Sequence, residues 1–187
     1  MSEDDRKAFA TLVAFGGAVK VDRVRAGIQH QGAKLVIAKI NGEMIGCAAL
    51  KSPTEGYRAG LQKGKAQFAL PEEAYPHELG YVAVLSGHEG QGWGSRLCEI
   101  VMLLAGRDGV FATTGTASML TRILPGLGFK WVGVVWNGEQ NQKDKKKPDL
   151  HLLVRPRLDN TENFAANRAK GNFGKCLPAD YSSLKDG

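Results

Sequence analysis

The sequence predicts a single α/β domain, a mixed central sheet flanked by helices. Three observations carry this. Along the chain, apolar residues at helical spacing alternate with short apolar runs of strand length. An Asn-Gly pair, Asn41-Gly42, separates two of those runs. A further run, ending at Leu85, passes through a glycine-rich stretch straight into a helical pattern. A chain of 187 residues is long enough for one sizeable core. Strands and helices mixed in this way bury their apolar faces as a sheet with helices packed on it.

The first element is a helix over residues 3–15, with Phe9, Leu12 and Val13 on one stripe; Gly16-Gly17 ends it. Val21, Val24 and Ile28 repeat the spacing as far as Gly32. Residues 35–40 and 44–50 then read as a hairpin, because both positions of an Asn-Gly turn accept positive φ. Residues 54–76 form a connecting excursion, in which Tyr57, Leu61 and Phe68 can line a short helix before Pro76. A third strand covers residues 79–85. A helix opens at Trp93, with Leu97, Ile100, Val101 and Leu104 in phase, and stops at Gly106 and Gly109. Residues 110–114 are a strand. Residues 118–124 are a helix, capped by Thr116 or Ser118 and stopped by Pro125-Gly126. Residues 130–136 and 150–155 are two last strands with a polar loop between them. The domain thus spans 1–156, and 157–187 is a polar, basic C-terminal tail.

Bulk properties narrow the function classes. The opening Met1-Ser2-Glu3-Asp4-Asp5 is the opposite of a basic signal-peptide start. No apolar run reaches the roughly 18–20 residues of a membrane helix. Three scattered cysteines, Cys47, Cys98 and Cys176, imply reduced thiols and a cytoplasmic setting rather than a disulfide framework. Net charge is +6, and from Lys143 to Gly187 ten Lys/Arg face six Asp/Glu. A basic surface favours anionic partners: coenzyme phosphates, nucleic acid or acidic proteins. The Lys145-Lys146-Lys147 run is short and lacks interleaved aromatics, so a solvated loop is the simpler reading and nucleic acid the weaker one. No His/Cys/Asp/Glu spacing suggests a metal.

Chemistry concentrates between Leu79 and Leu97. The strand enters a loop holding Gly90, Gly92 and Gly94, and that loop opens the helix. The first N–H groups of a helix lack internal partners and lie at the positive end of its dipole. Glycines let the backbone approach a phosphate without a Cβ in the way. The arrangement suits a pyrophosphate. It is neither a dinucleotide-binding junction, which opens on the first strand, nor a triphosphate loop, since no Gly-Lys-Ser/Thr follows.

This segment resembles motif A of the GNAT superfamily of acetyl-CoA-dependent N-acetyltransferases. The family's Arg/Gln-x-x-Gly-x-Gly/Ala signature aligns with Glu89, Gly90, Gln91, Gly92, Trp93 and Gly94, departing at Glu89. Residues 119–129, closing on Leu127-Gly128-Phe129, are similar to its motif B. The resemblance covers roughly residues 33–155 and is closest to small bacterial and phage members. It implies a GNAT-like fold, acetyl-CoA as cosubstrate and an amine on a small molecule or protein as acceptor. It further implies that Val82, Ala83 and Val84 offer main-chain groups to the pantetheine arm. Glu89, Gly90, Gln91, Gly92, Trp93, Gly94 and Ser95 would surround the pyrophosphate.

Acetyl transfer needs a neutral amine, a polarised thioester and a proton for the thiolate. Glu78 is the first candidate base, standing six residues before Val84 and 14 before Gly92, the spacing of the family's glutamate-base branch. His77 is the second candidate base. For the acid, the family's usual tyrosine position holds Leu124, which cannot donate; Tyr57, Tyr75 or Tyr81 remain, with Tyr81 on the strand itself. Cys98 reads as packing, and His88 and His151 are isolated. Two other readings stay open: a different transfer on the same fold, including modification of a nucleic-acid base, and a non-catalytic binding protein with a basic surface.

Overall fold

The ladders of the central sheet change direction twice, from antiparallel to parallel and back. In the computed structural model, which describes residues 1–16, 19–139 and 147–158, six strands take the order β1-β2-β3-β4-β6-β5. They are β1 Lys34–Ile40, β2 Glu43–Lys51, β3 His77–Val84, β4 Val110–Thr114, β5 Lys130–Asn137 and β6 Asp149–Arg155. Only β3 and β4 run parallel; every other pair is antiparallel. The helices are α1 Glu3–Phe15, α2 Val21–Gln29, α3 Glu55–Gly64 and α4 Trp93–Ala105, with a π-helical turn Met119–Ile123 running into Leu124–Gly126. Met1–Arg157 forms one compact unit. Most of the expected tail, residues 159–187, lies outside the described residues, as do Lys145, Lys146 and Cys176.

The α/β class and the order of elements match the sequence reading, and the differences are local. β3 begins at His77 rather than Leu79, so Glu78 lies within the strand, opposite Lys51 of β2. The excursion does contain a helix, capped by Thr54, whose Oγ1 accepts from the Tyr57 N–H at 3.3 Å; Phe68 falls outside it. Residues 119–123 form a π turn instead of an α-helix. Pro125 supplies the reason: its ring would crowd the carbonyl of Thr121 one α turn back, and it has no N–H to donate. The turn widens, and the Leu124 N–H reaches the Met119 carbonyl five residues earlier.

The sheet has two faces with separate cores. On one, α4 buries Leu97, Cys98, Val101 and Met102 against Ala48, Leu50, Leu79, Val110 and Leu153. The other face is divided. Over β1 to β3, α1 and α2 pack Phe9, Leu12, Val24 and Ile28 on Cys47 and Ala49. Over β4 and β6, Leu61 of α3 joins Leu70, Phe111 and Leu152.

A bulge in β3 sets the side-chain parity near the site. Ala49 pairs with Gly80 and Cys47 with Ala83, so Tyr81 and Val82 together face one residue of β2. Tyr81 takes φ +54, unusual for an aromatic residue. Leu79 therefore faces α4 and so do Val82 and Val84, while Tyr81 and Ala83 turn to the α1–α2 side.

Candidate active site

β3 and β4 pair only at His77↔Val110 and Glu78↔Phe111. Beyond those two positions the parallel strands part, and a slit opens between them. The far end of the slit widens into a cleft of about 280 Å³. One wall is Val82, Ala83 and Val84, continued by His88, Glu89, Gly90, Gly92, Trp93, Gly94 and Ser95. The other is Thr116, Ser118, Met119, Arg122 and Ile123. Of the residues expected around a pyrophosphate, only Gln91 does not line the cleft. Its Nε2 instead donates to the Gly87 carbonyl at 3.1 Å and braces the loop.

The loop's geometry would suit an anion. Gly90 and Gly92 take φ +75 and +84, a region that side chains other than glycine rarely occupy. Gly92 is the residue capping α4 and, as a glycine, brings no side chain to the helix's first N–H groups. Those groups lie at the positive end of a 13-residue helix, beside the cleft. Arg122 adds a cation from the opposite wall, and Arg96 lies over the Trp93 ring at 5.3 Å. Glu89 opposes them with a carboxylate on the loop. Met119, Arg122 and Ile123 of the second wall fall in the segment likened to motif B, but the sequence reading gave none of the five residues a place at the cleft. The π turn is that wall's visible signal, since such turns favour functional sites.

At the closed end of the slit lies a buried polar cluster on the face opposite α4. Glu78 is 3% exposed. Its Oε2 meets Lys51 Nζ at 2.8 Å. Its Oε1 accepts from the Tyr57 hydroxyl at 3.2 Å and from Thr113 Oγ1 at 3.5 Å. Lys51, Glu78 and Thr113 come from three adjacent strands, on the seam between the α1–α2 core and the α3 core. Burial, with the Glu78 charge beside it, pushes the Tyr57 phenol far up, so it stays a donor. The Lys51 ammonium also stands 4.5 Å from the Tyr81 ring centre and 5.9 Å from that of Tyr57. Lys51 was not picked out in the sequence, because its place beside Glu78 depends on a cross-strand register.

The remaining candidates separate from this cluster. His77 starts β3 and pairs at 3.4 Å with Asp108, not with the cleft. Burial lowers its pKa, against the pull of Asp108. Tyr81 turns its ring to Phe9, centroids 6.4 Å apart, and its hydroxyl toward Gly27 of α2; burial raises its pKa despite Lys51. Leu124 is fully buried in the α4 core. Burial pushes the Cys47 and Cys98 thiols up to about 12, which leaves them protonated and poor nucleophiles. Among the described residues no three His, Cys, Asp or Glu side chains gather as for a metal, and no helix is long and apolar enough to cross a membrane.

Comparisons with known proteins point the same way. The model of the acetyltransferase (GNAT) family matches residues 10–118. No curated protein matches the chain in sequence. Among solved structures, yncA of Salmonella typhimurium with its cofactor acetyl-CoA is similar at TM-score 0.58 and 19% identity, over 87% of this chain and 93% of that one. Ribosomal-protein-alanine N-acetyltransferase of Brucella melitensis is similar at TM-score 0.57 and 19% identity, over 83% and 96%. An aminoglycoside 6'-N-acetyltransferase complexed with coenzyme A is similar at TM-score 0.54 and 13% identity, over 86% and 95%. At these identities the likeness is one of fold.

Proposed function

The chain belongs to the GNAT acetyltransferase family, and from that premise we propose that it moves an acetyl group from acetyl-CoA to an amine. The observation that carries the reading is the slit: an anion-binding loop at one end and a buried carboxylate at the other, joined along β3. The coenzyme's pyrophosphate fits the N–H groups at the start of α4, with Gly90 and Gly92 shaping the approach. The pantetheine arm follows Val82 to Val84, an extended main chain whose β4 side is unpaired. The thioester then reaches the place where β3 and β4 part.

In this reading Glu78 takes the proton of the incoming ammonium, since it is the carboxylate at that end of the slit. Tyr57 and Thr113 hold its other oxygen in place. The departing thiolate takes its proton from the attacking nitrogen, which suits a site whose tyrosine position is Leu124. Tyr81 and His77 act as packing and as a base-of-sheet pair, respectively. The acceptor is a primary amine on a small molecule or protein. The buried, unbridged thiols of Cys47 and Cys98 fit a cytoplasmic setting.

Calorimetry with coenzyme A and a thiol-release assay over a panel of amines test this. Micromolar to millimolar coenzyme binding, with amine-dependent thiol release, is expected. Absence of coenzyme binding at millimolar concentration overturns it.

A further inference from the structure

Lys51 places a primary amine at the one carboxylate that acetyl transfer would use as base. Its Nζ is 2.8 Å from Glu78 Oε2, and both side chains are largely withdrawn from solvent, at 19% and 4% exposure. The placement is built in. Lys51 and Glu78 are direct partners in the β2–β3 ladder. The lysine stem lies over Gly80, where a Cβ would come within 2.7 Å of Cε and 3.0 Å of Nζ, so glycine is what lets it approach. Two tyrosine rings, Tyr81 and Tyr57, flank the ammonium. Thr113 of β4, on the other lip of the slit, closes the cluster through Tyr57 and Glu78.

An ammonium held by a carboxylate and aromatic rings, beside the parting of β3 and β4, is the arrangement an acceptor amine needs. Here the protein's own side chain fills it. Resting on the proposed use of acetyl-CoA, we propose that Lys51 is itself an acetyl acceptor, modified within the chain that binds the coenzyme. Glu78 takes one proton from the Lys51 ammonium. The neutral Nζ attacks the thioester carbonyl carbon and forms the N–C bond. The C–S bond breaks with its electron pair on sulfur, and the second proton lost from nitrogen goes to the thiolate, giving free coenzyme A and a neutral amide. The proton on Glu78 returns to water. The product removes the charge that paired Glu78, so the modified and unmodified chains differ in the site itself.

The test incubates the full chain with acetyl-CoA and follows acetylation of each lysine by peptide mass spectrometry, with coenzyme binding measured in parallel by calorimetry. Lys51 is expected to react on the order of 10²-fold faster than exposed Lys63, the scale of general-base assistance. Its rate constant should not change with protein concentration. Glu78→Gln should bring Lys51 down to the pace of Lys63 while coenzyme binding persists. Lys51→Arg keeps the ion pair and should remove the fast-forming mark from the intact protein's mass, which covers the case in which Glu78→Gln fails to fold. Lys51 reacting no faster than Lys63 in protein that binds the coenzyme overturns this inference alone. Absence of coenzyme binding overturns the proposed function and this inference with it.

Discussion

Tyr81 sets its hydroxyl directly over Gly27 of α2, at the point where β3 bulges. Its ring meets Phe9 edge-on and Lys51 from above. The positive φ of Tyr81 costs on the order of 1–2 kcal/mol for a side chain of this kind, and the packing of the ring offsets it. The bulge in turn puts Val82 and Val84 toward α4 and leaves the Lys51 ammonium over Gly80.

Gly27→Ala should therefore destabilise the protein. In an ordinary helix interior, Ala for Gly gains about 0.5–1 kcal/mol. Here the added Cβ lands on the Tyr81 hydroxyl, and overpacking of this kind costs about 1–3 kcal/mol. Urea denaturation should show the loss, and Tyr81→Phe in the same chain should recover part of it. A Gly27→Ala protein more stable than the parent would mean the ring is free to move aside.

Glu78→Gln should separate chemistry from binding. Turnover on any amine acceptor should fall by on the order of 10²–10⁴-fold. Coenzyme affinity should hold, because the N–H groups proposed to take the phosphates lie beyond the other end of β3. Removing the counter-charge of a lysine largely withdrawn from solvent also costs stability, so unfolding must be read alongside. Near-normal turnover in folded protein would take the base role from Glu78.

How much of this was written in the sequence depends on range. The hairpin was legible because Asn41-Gly42 is a local signal, and the glycine turn into α4 because glycine spacing is one too. Glu78 was singled out by a local spacing, the one that the resemblance to the glutamate-base branch implies. Lys51 could not be, since only the β2–β3 register brings it opposite Glu78. The Tyr81 bulge was invisible for a similar reason: the residue has no turn preference, and tertiary packing forces its φ. Thr116, Ser118 and Arg122 reach the cleft because the π-helical turn and the residues just before it approach the start of α4 from far along the chain, while Pro125 was read as a stop and turned out to widen the helix before it.

Gly92→Ala should weaken coenzyme binding for a conformational reason. A Cβ there would touch nothing within 4 Å, so space is not the constraint; φ +84 is. The strain, on the order of 1–2 kcal/mol, should be relieved by a shift of the loop away from the geometry that aims its N–H groups. Gly94 is the control: its φ is ordinary, and a Cβ would sit in normal contact, 3.7 Å from Ile123 Cδ1. Calorimetry should show a larger loss for Gly92→Ala than for Gly94→Ala. The reverse order would place the steric constraint at the helix start instead.

His77 should make stability depend on pH. Burial holds its folded-state pKa below the ordinary 6.5; Asp108 pulls it up, and Lys34 and Arg58 push it further down. The unfolded chain therefore binds the proton more readily than the folded one. The stability tied to neutral His77 is present above pH 6.5 and is lost as pH falls from there through the folded-state pKa. Urea midpoints measured downward from pH 7.5 should decline, and the decline should be shallower in His77→Gln. Identical slopes in the two proteins would mean that exchange with Asp108 cancels the burial.

The charges facing each other across the cleft give a last test. Glu89 stands on the glycine loop, where a carboxylate would repel a bound pyrophosphate, and Arg122 lines the opposite wall, where a guanidinium would attract it. Both residues are exposed, so each charge acts through a solvent-like medium and is worth about 1 kcal/mol at contact range. Glu89→Gln should then tighten coenzyme A by roughly fivefold and Arg122→Gln weaken it by a similar factor, on the same scale. Because the effects are screened, both should shrink as salt is raised from about 0.05 to 0.5 M. The double variant should bind about as well as the parent if the two act independently on the same phosphates. Dephospho-coenzyme A, which keeps the pyrophosphate and lacks the ribose phosphate, locates the contact. If Arg122→Gln still weakens it, the arginine reads the pyrophosphate. If the effect vanishes, Arg122 reads the ribose phosphate, and the pyrophosphate rests on the α4 N–H groups without help from the second wall.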